Sequence, residues 1–253
     1  MKRIALILCL AFIYVIGDIS AQNINQKEYK ATFFGVKSDG IVDNTCSIQR
    51  AIDFISEQGG GTLVFYVGRY LTGGFELKSN VRIKISSGAV LVCTPNIYAY
   101  KGDEKQRALI YAKDQENIGV EGVGTIDGTG VLMGDFACSQ MKKGYIPSDS
   151  EMLPAMIYFD NCKNVVVKQN TIQNYKSVAQ VYNKCQNISL EKLYVFNKEL
   201  AVSALSISEC KNLKVNDCYW DTKVNPIISD GTSSDLMFTK SINPEGKQVS
   251  VTK

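Results

Sequence analysis

The sequence has 253 residues, a formal net charge of +3 at pH 7, 45% hydrophobic residues and 21% charged residues, which is ordinary for a globular protein. It contains no histidine, and this excludes Ser-His-Asp triads, histidine-ligated metals and histidine general bases. The charges are of mixed sign and no basic run is interleaved with aromatic residues, so no nucleic-acid partner is indicated. No cofactor is indicated either.

The N-terminus has the three-part order of a secretory signal peptide. Two basic residues precede an apolar run from Ile4 to Ile16, and small residues then lead to a cleavage site after Ala21. The apolar run is short for a membrane span, which needs roughly 20 residues. The sequence therefore predicts a signal peptide over residues 1–21, a secreted or periplasmic protein without a membrane anchor after cleavage, and a single domain over residues 22–253.

The next element in chain order is an amphipathic helix. The segment DNTCSIQRAIDFISEQGGG, residues 43–61, has Asp43 or Asn44 as an N-cap and three glycines as a stop signal. Its apolar residues at helical spacing are Ile48, Ala51, Ile52 and Ile55. Strand patterns follow at once in GTLVFYV, VRIKIS and AVLVC. We expect the helix to close one end of the structure that these strands begin.

A repeat occupies the second half of the chain. Segments that begin at Cys162, Cys185 and Cys210 share the pattern Cys-x-Asn-apolar-x-apolar, at spacings of 23 and 25 residues. Each unit consists of short runs of strand-forming residues separated by turn residues. A leucine-rich horseshoe would need a denser leucine pattern. The repeat therefore favours a parallel β-helix, in which equivalent residues of successive turns lie about 4.8 Å apart.

The repeated residues have a structural interpretation in this fold. The three cysteines would stack as buried free thiols, because a disulfide between adjacent in-register strands would be strained. The asparagines of the repeat would lie at one turn of every coil, where amides can satisfy backbone groups. These asparagines are Asn117, Asn164, Asn187 and Asn212.

The cysteine spacing indicates neither zinc nor a disulfide framework. If Cys9 is removed with the signal peptide, an odd number of irregularly spaced cysteines remains, and no CxxC pair occurs. A lipid-modified Cys9 and an uncleaved anchor are the alternatives for this end. At the other end, the sequence finishes with QVSVTK and has no predicted lid, and an open final coil predicts self-association there.

Several segments resemble glycoside hydrolase family 28 and the wider pectate-lyase-like superfamily. They are residues 33–91, the GVGTIDGTG motif at residues 122–130, and LPAMIYFDNCKNVVV from Leu153. The resemblance implies an all-β fold, a right-handed parallel β-helix, and a polygalacturonase-like protein associated with pectin-like polysaccharide.

The same resemblance implies catalytic aspartates that this chain lacks. Family 28 enzymes hydrolyse with inversion, using an Asn-Thr-Asp and an Asp-Asp motif whose carboxyl groups are separated by roughly 6.5–9.5 Å. Aligned through Cys210 and Cys218, these motifs fall on Ala201-Val202-Ser203 and on Val224-Asn225. The Gly-His-Gly motif cannot exist without histidine. We therefore expect no standard hydrolase activity, because a serine hydroxyl cannot protonate a leaving group.

Three functional hypotheses follow. The first is an inactive scaffold that binds a glycan. The second is a glycosidase or lyase with relocated acids, for which Asp221 and Asp230 are the candidates and Tyr219 or Trp220 would stack on a sugar; aspartates at turns and aromatics in strands are more often structural. The third is a structural or adhesive β-helix, with Tyr158, Tyr182 and Tyr194 as a contact strip if they face one way.

Overall fold

The computed structural model describes residues 27–102, 106–147, 152–197 and 199–251. The predicted signal peptide, residues 1–21, lies outside the described residues. The N-terminal elements are β1 (Glu28–Lys30), a 3-10 turn (Ala31–Phe34), α1 (Thr45–Glu57), β2 (Gly61–Phe65), β3 (Gly68–Thr72), β4 (Phe75–Glu76), β5 (Val81–Ile85) and β6 (Ala89–Cys93). The predicted helix and all three predicted strands are confirmed.

The middle and C-terminal elements continue the strand succession. The middle ones are a 3-10 turn (Ile97–Ala99), β7 (Lys101–Gly102), β8 (Arg107–Lys113), β9 (Gly119–Glu121), β10 (Thr125–Asp127) and α2 (Gly130–Lys142). The later strands are β11 (Ala155–Asp160), β12 (Lys163–Lys168), β13 (Thr171–Gln173), β14 (Gln180–Asn183), β15 (Gln186–Glu191), β16 (Tyr194–Asn197), β17 (Leu205–Ser208), β18 (Lys211–Asn216), β19 (Tyr219–Thr222), β20 (Ile227–Ser229) and β21 (Ser234–Thr239).

These strands form three parallel sheets wound around one interior, the right-handed parallel β-helix that the sequence predicts. Sheet A contains β1, β2, β5, β9, β12, β15, β18 and β21 in that order. Sheet B contains β3, β6, β10, β13, β16 and β19, and sheet C contains β4, β8, β11, β14, β17 and β20. The chain visits sheets C, A and B in turn, so each coil lies on the previous one and its inward residues join one apolar core.

The cysteine prediction is confirmed by the register of sheet A. The backbone N–H of Gln186 donates to the carbonyl of Cys162, and that of Lys211 donates to the carbonyl of Cys185, each at 2.9 Å. The cysteines Cys162, Cys185 and Cys210 therefore lie above one another, all buried and all free thiols. Hydrogen bonding to both neighbours, together with burial, raises the pKa of the Cys185 thiol.

The repeated asparagines form a continuous ladder of amide hydrogen bonds. Each side-chain N–H donates to the amide oxygen one coil earlier, from Asn212 to Asn187, then to Asn164, Asn117 and Asn80, at 2.8–3.0 Å. All five residues have left-handed backbone conformations, with φ between 55° and 65°. Asparagine tolerates this conformation better than most residues, which explains its recurrence at this bend.

Helix α1 closes the N-terminal side of the coil. Its Ile48, Ala51, Ile52 and Ile55 are fully buried against the first coil. Of the two predicted N-cap residues, Asn44 occupies the N-cap position without a side-chain cap, and Asp43 accepts from the backbone N–H of Thr45 at 2.8 Å. The Asn44 side chain instead bonds the backbone of Lys37 and Leu71, which ties the preceding segment to the coil.

Two features of the fold differ from the sequence prediction. The second helix, α2, was not predicted; it lies in the long connection between β10 and β11. The final coil is also less open than expected. Ile242 pairs with Gln248 in an antiparallel bridge, and this returning segment buries Ser241 and Val249. The same segment pairs with β19 of sheet B through a parallel bridge between Tyr219 and Ile242. Strand β21 of sheet A, in contrast, has a strand neighbour on one side only among the described residues.

Candidate functional site

The connections from sheet B to sheet C are the most variable part of the coil. The four that follow β10, β13, β16 and β19 comprise residues 128–154, 174–179, 198–204 and 223–226, and they differ in length from coil to coil. By contrast, three successive turns from sheet C to sheet A, residues 161–162, 184–185 and 209–210, have the same length and each ends in cysteine. Because loops on a rigid scaffold carry function more often than the scaffold itself, the B–C side and the adjoining outer face of sheet C form the candidate site.

The outer face of sheet C changes character along the coil axis. Register places one outward column in the order Glu76, Tyr111, Tyr158, Val181, Ser206 and Ile228. The rings of Tyr111 and Tyr158 are stacked, with centroids 5.8 Å apart and planes 6° apart. Below them the column is uncharged, and it ends on the exposed Ile228.

The positions aligned with the family's aspartates lie beside this column. The hydroxyl of Ser203 donates to the backbone carbonyl of Asn225 at 2.8 Å, across two adjacent coils. The side-chain oxygen of Asn225 accepts from the backbone N–H of Ile227 at 3.1 Å, and Val224 is exposed. Neighbouring coils thus bring the three aligned positions together, but these side chains supply no carboxyl group.

The two proposed substitute acids do not form a pair. Asp221 lies on the outer face of sheet B beside Phe196, whereas Asp230 lies at the turn from sheet C to sheet A, beyond β20. The carboxylate of Asp230 accepts from the hydroxyl of Ser208 at 2.5 Å and from the hydroxyl of Thr232 at 2.6 Å. These hydrogen bonds hold the pKa of Asp230 below its usual value, so this group remains ionised and is unsuited to act as a general acid.

The structure separates the two proposed sugar-stacking residues. Trp220 is 1% exposed and points into the coil, so it offers no face to a sugar and cannot be a sugar-binding residue. Tyr219 points outward and stacks on Tyr194, with centroids 4.8 Å and planes 3° apart. Stacking covers one face of each ring, and Tyr194 remains 44% exposed.

The tyrosine contact strip of the structural hypothesis does not form. Tyr182 is fully buried, and its hydroxyl donates to Gln180 inside the coil at 2.9 Å. Tyr158 lies on the outer face of sheet C but is nearly covered, and Tyr194 is exposed on sheet B. The three residues therefore face three different ways.

A groove of about 430 Å³ lies at the B–C side and was not predicted. It is lined by Asp127, Thr129, Gly130, Val131, Leu132, Asn174, Asn197, Glu199 and Leu200. The start of α2 forms one wall, and the connections after β13 and β16 form the other. The sequence signal for this groove was the GTIDG motif. Its aspartate, Asp127, is the last residue of β10 and lies where the chain leaves sheet B.

Hydrogen bonds fix the carboxylate of Asp127 at the edge of this groove. One oxygen accepts from the amide of Asn174 and the backbone N–H of Thr129, and the other accepts from the amide of Gln173, each at 3.1 Å. Asn197 is almost fully buried and donates to the carbonyl of Tyr175 at 2.6 Å. Asn197 also accepts from the backbone N–H of Leu200 at 3.3 Å, which positions the second wall.

The described residues include no group of three or more acidic or cysteine side chains that could hold a metal ion. Among the same residues, no helix is long and apolar enough to cross a membrane.

Residues 64–251 match the sequence profile of glycosyl hydrolases family 28. The chain belongs to this family. A protein from Parabacteroides merdae, described as a candidate glycosyl hydrolase, has a crystal structure that is 47% identical in sequence, with a TM-score of 0.86, covering 90% of this chain and all of that one.

More distant relatives agree with this assignment. A polygalacturonase from Persea americana is 26% identical over 64% of this chain and 34% of its own length. The family 28 exopolygalacturonase of Yersinia enterocolitica is 18% identical, with a TM-score of 0.77 over 87% of this chain and 49% of that one, and it shows the fold. This chain spans about a third of the length of the curated polygalacturonases that it matches.

Proposed function

We propose that this chain is a secreted, polysaccharide-binding member of family 28 that lacks the family's standard hydrolytic mechanism. The observation that carries this proposal is the contact between Ser203 and Asn225 at the aligned catalytic positions. Inverting hydrolysis needs an acid for the leaving oxygen and a base for the attacking water, and neither residue can serve. The predicted signal peptide supports secretion, and family membership supports a pectin-like ligand.

The relocated-acid alternative has less support. Asp221 and Asp230 lie on different sheets, and Asp230 is held by two hydroxyl groups as a turn residue. Its lowered pKa suits a structural carboxylate better than an acid that donates a proton near neutral pH.

Product analysis on purified protein tests the proposal. The protein is incubated with polygalacturonate, methyl-esterified pectin and neutral pectic galactan, and reducing ends and unsaturated products are measured. We expect no release, together with retardation on at least one polymer in affinity electrophoresis. Release that is abolished by Asp221→Ala or Asp230→Ala, but not by Asp53→Ala on α1, would establish a relocated site and refute the proposal.

We also propose self-association through the final coil. Strand β21 pairs with β18 on one side and carries the exposed Met237, and unpaired strand edges recruit further strands. Sedimentation velocity should show a concentration-dependent dimer that Phe238→Pro weakens. Proline removes a backbone donor from the strand, so Ser234→Ala at the strand's start provides a milder comparison. A protein that stays monomeric at every concentration contradicts this idea.

A further inference from the structure

The outer face of sheet B carries an aromatic cluster near the end of the coil. Register places Tyr194 next to Tyr219 of the following coil, and Phe196 lies two residues further along the same strand. Tyr194 is exposed, whereas Tyr219 and Phe196 are half-buried. Both strands run from this cluster to the connections that contain Ser203 and Asn225. The width of sheet B, roughly 10 Å, therefore separates the cluster from the aligned catalytic positions.

The stacked pair leaves one ring face of Tyr194 open. The two tyrosine rings are 3° from parallel, so Tyr219 covers only the face that is directed toward the later coil. The opposite face is directed toward Thr171, the register neighbour in the preceding coil. A threonine side chain is much smaller than a phenol ring and cannot cover it. A shelf bounded by the ring of Tyr194 and the side chain of Thr171 therefore faces solvent.

The ring of Tyr194 is held in place without a ligand. Phe196 contacts it from the side, with centroids 5.4 Å apart and planes 62° apart, and Tyr219 supports its other face. Tyrosine has few side-chain torsions, and these two contacts restrict them further. A preorganised aromatic ring binds a ligand with little loss of conformational entropy.

The groups around the shelf suit a sugar ring. A pyranose has a C–H face that packs on an aromatic ring, and hydroxyl groups around its edge. The hydroxyls of Thr171, and of Thr125 one coil earlier, can donate and accept hydrogen bonds. In the adjoining outward column, Gln173 has its amide oriented by the carboxylate of Asp127 at 3.1 Å. An aromatic face bordered by hydroxyl and amide groups matches a sugar better than an apolar protein surface.

We propose that Tyr194 stacks on one pyranose residue of the bound polysaccharide, at a site on sheet B that lies outside the sheet C face and the B–C connections. The inference rests on the proposed polysaccharide-binding function and adds a second place of contact for the polymer. One aromatic ring makes a weak site by itself. Two contacts on one polymer reinforce each other, because the second forms within an existing complex.

Replacement of the exposed ring tests this site. Tyr194→Ala is compared with Tyr66→Ala, which removes a tyrosine of matching exposure, 45% against 44%, between β2 and β3. Titration calorimetry and affinity electrophoresis use polygalacturonate, methyl-esterified pectin and neutral galactan. For each polymer that the unmodified protein binds, Tyr194→Ala should lower the affinity roughly three- to tenfold, whereas Tyr194→Trp and Tyr66→Ala should retain it. Stacking involves no net charge, so the loss should be the same at low and high salt.

A second variant blocks the shelf without removing the ring. Thr171→Leu places a larger aliphatic side chain against the open face of Tyr194 and leaves the stacked pair in place. We expect a similar loss of affinity with an unchanged midpoint of thermal unfolding. This variant therefore separates occlusion of the shelf from any loss of folding in Tyr194→Ala.

The possible outcomes distinguish this inference from the proposed function. Unchanged affinity in Tyr194→Ala or in Thr171→Leu, or an equal loss in Tyr66→Ala, overturns the inference and leaves the proposed function standing. Unchanged affinity together with a lower sedimentation coefficient in Tyr194→Ala overturns it too, and assigns this face to contact with a second copy of the chain. If the unmodified protein binds none of the three polymers, both the inference and the proposed function fail.

Discussion

The two kinds of connection in this coil obey different constraints. Three successive turns from sheet C to sheet A have one left-handed residue followed by a buried cysteine; they are Asn161-Cys162, Lys184-Cys185 and Glu209-Cys210. The sheet B to sheet C connections share neither length nor chemistry, and one of them contains α2. Turns that must reproduce the same interior contacts repeat, whereas connections that face solvent are free to diverge. The divergent side is therefore where this chain's specific chemistry is to be sought.

The largest expected effect contrasts an interior residue with its outward neighbour. Trp220→Ala should lower the free energy of unfolding by about 3–5 kcal/mol, because it opens a cavity in the core. Tyr219→Ala, one residue earlier, should cost about 1 kcal/mol, mainly from the lost stacking on Tyr194. Urea denaturation measures both. Similar losses would contradict the assignment of Trp220 to the interior.

The asparagine ladder gives the next effect. Asn187→Ala should cost about 2 kcal/mol, because alanine loses two amide hydrogen bonds and is strained at a φ of 56°. Asn187→Gly loses the same hydrogen bonds without the strain, so it should cost about half as much. The same denaturation assay separates the two contributions. A glycine variant no better than alanine would show that strain is unimportant here.

The buried thiols should make stability fall at alkaline pH. Burial raises the pKa of Cys93 to about 12, whereas an unfolded thiol titrates near 8.5. Between these values the unfolded state binds fewer protons, so stability falls as pH rises, by up to about 1.4 kcal/mol per pH unit for each such thiol. Denaturation midpoints at pH 8, 9 and 10 measure the slope under reducing conditions.

A cysteine variant tests that slope directly. Cys93→Ala should make the unfolding free energy depend less on pH, because one titrating thiol is removed. It should also lower the unfolding free energy at every pH, because a buried side chain is lost from the core. Cys46→Ala removes an exposed thiol and is the matched control for the loss of one cysteine. An unchanged slope in Cys93→Ala would mean that other groups control the alkaline loss.

The smallest effect belongs to a solvent-facing ion pair at a repeated turn. Lys184 lies 3.8 Å from Glu209, and both side chains are about half exposed. Lys184→Gln should cost less than about 0.5 kcal/mol and lose even that at high salt. Thermal unfolding at two salt concentrations is sufficient to measure it. A loss above about 1 kcal/mol would show that these turns depend on surface charge as well as on the interior.

The sequence predicts the repeated parts of the coil better than the parts that occur once. The columns through Cys185 and Asn187 were predictable, because a residue that recurs once per coil has the same neighbours in every coil. Helix α2 was not, because it occurs once and lies outside the repeat, although its apolar Leu132, Met133, Phe136 and Ala137 have helical spacing.

The direction of Trp220 could have been inferred from its column. It aligns with Val195 and Ile172, both fully buried, so the aligned apolar residues mark that column as interior. The groove, in contrast, depends on how connections of different length pack on one another, and no periodicity encodes that packing. The sequence showed that Ser203 and Asn225 stand where the family has acids, whereas the hydrogen bond between them is seen only in the structure.

The amide ladder also has a direction and a last member. Below Asn212 the register places Asp235, which has the same left-handed backbone, with a φ of 56°. A carboxyl side chain has no N–H to donate to the oxygen of Asn212, so the series of amide donors ends there. Lengthening this solenoid by copying a coil would therefore require Asp235→Asn first. Only an amide at this position can donate an N–H to Asn212 and continue the ladder into a further coil.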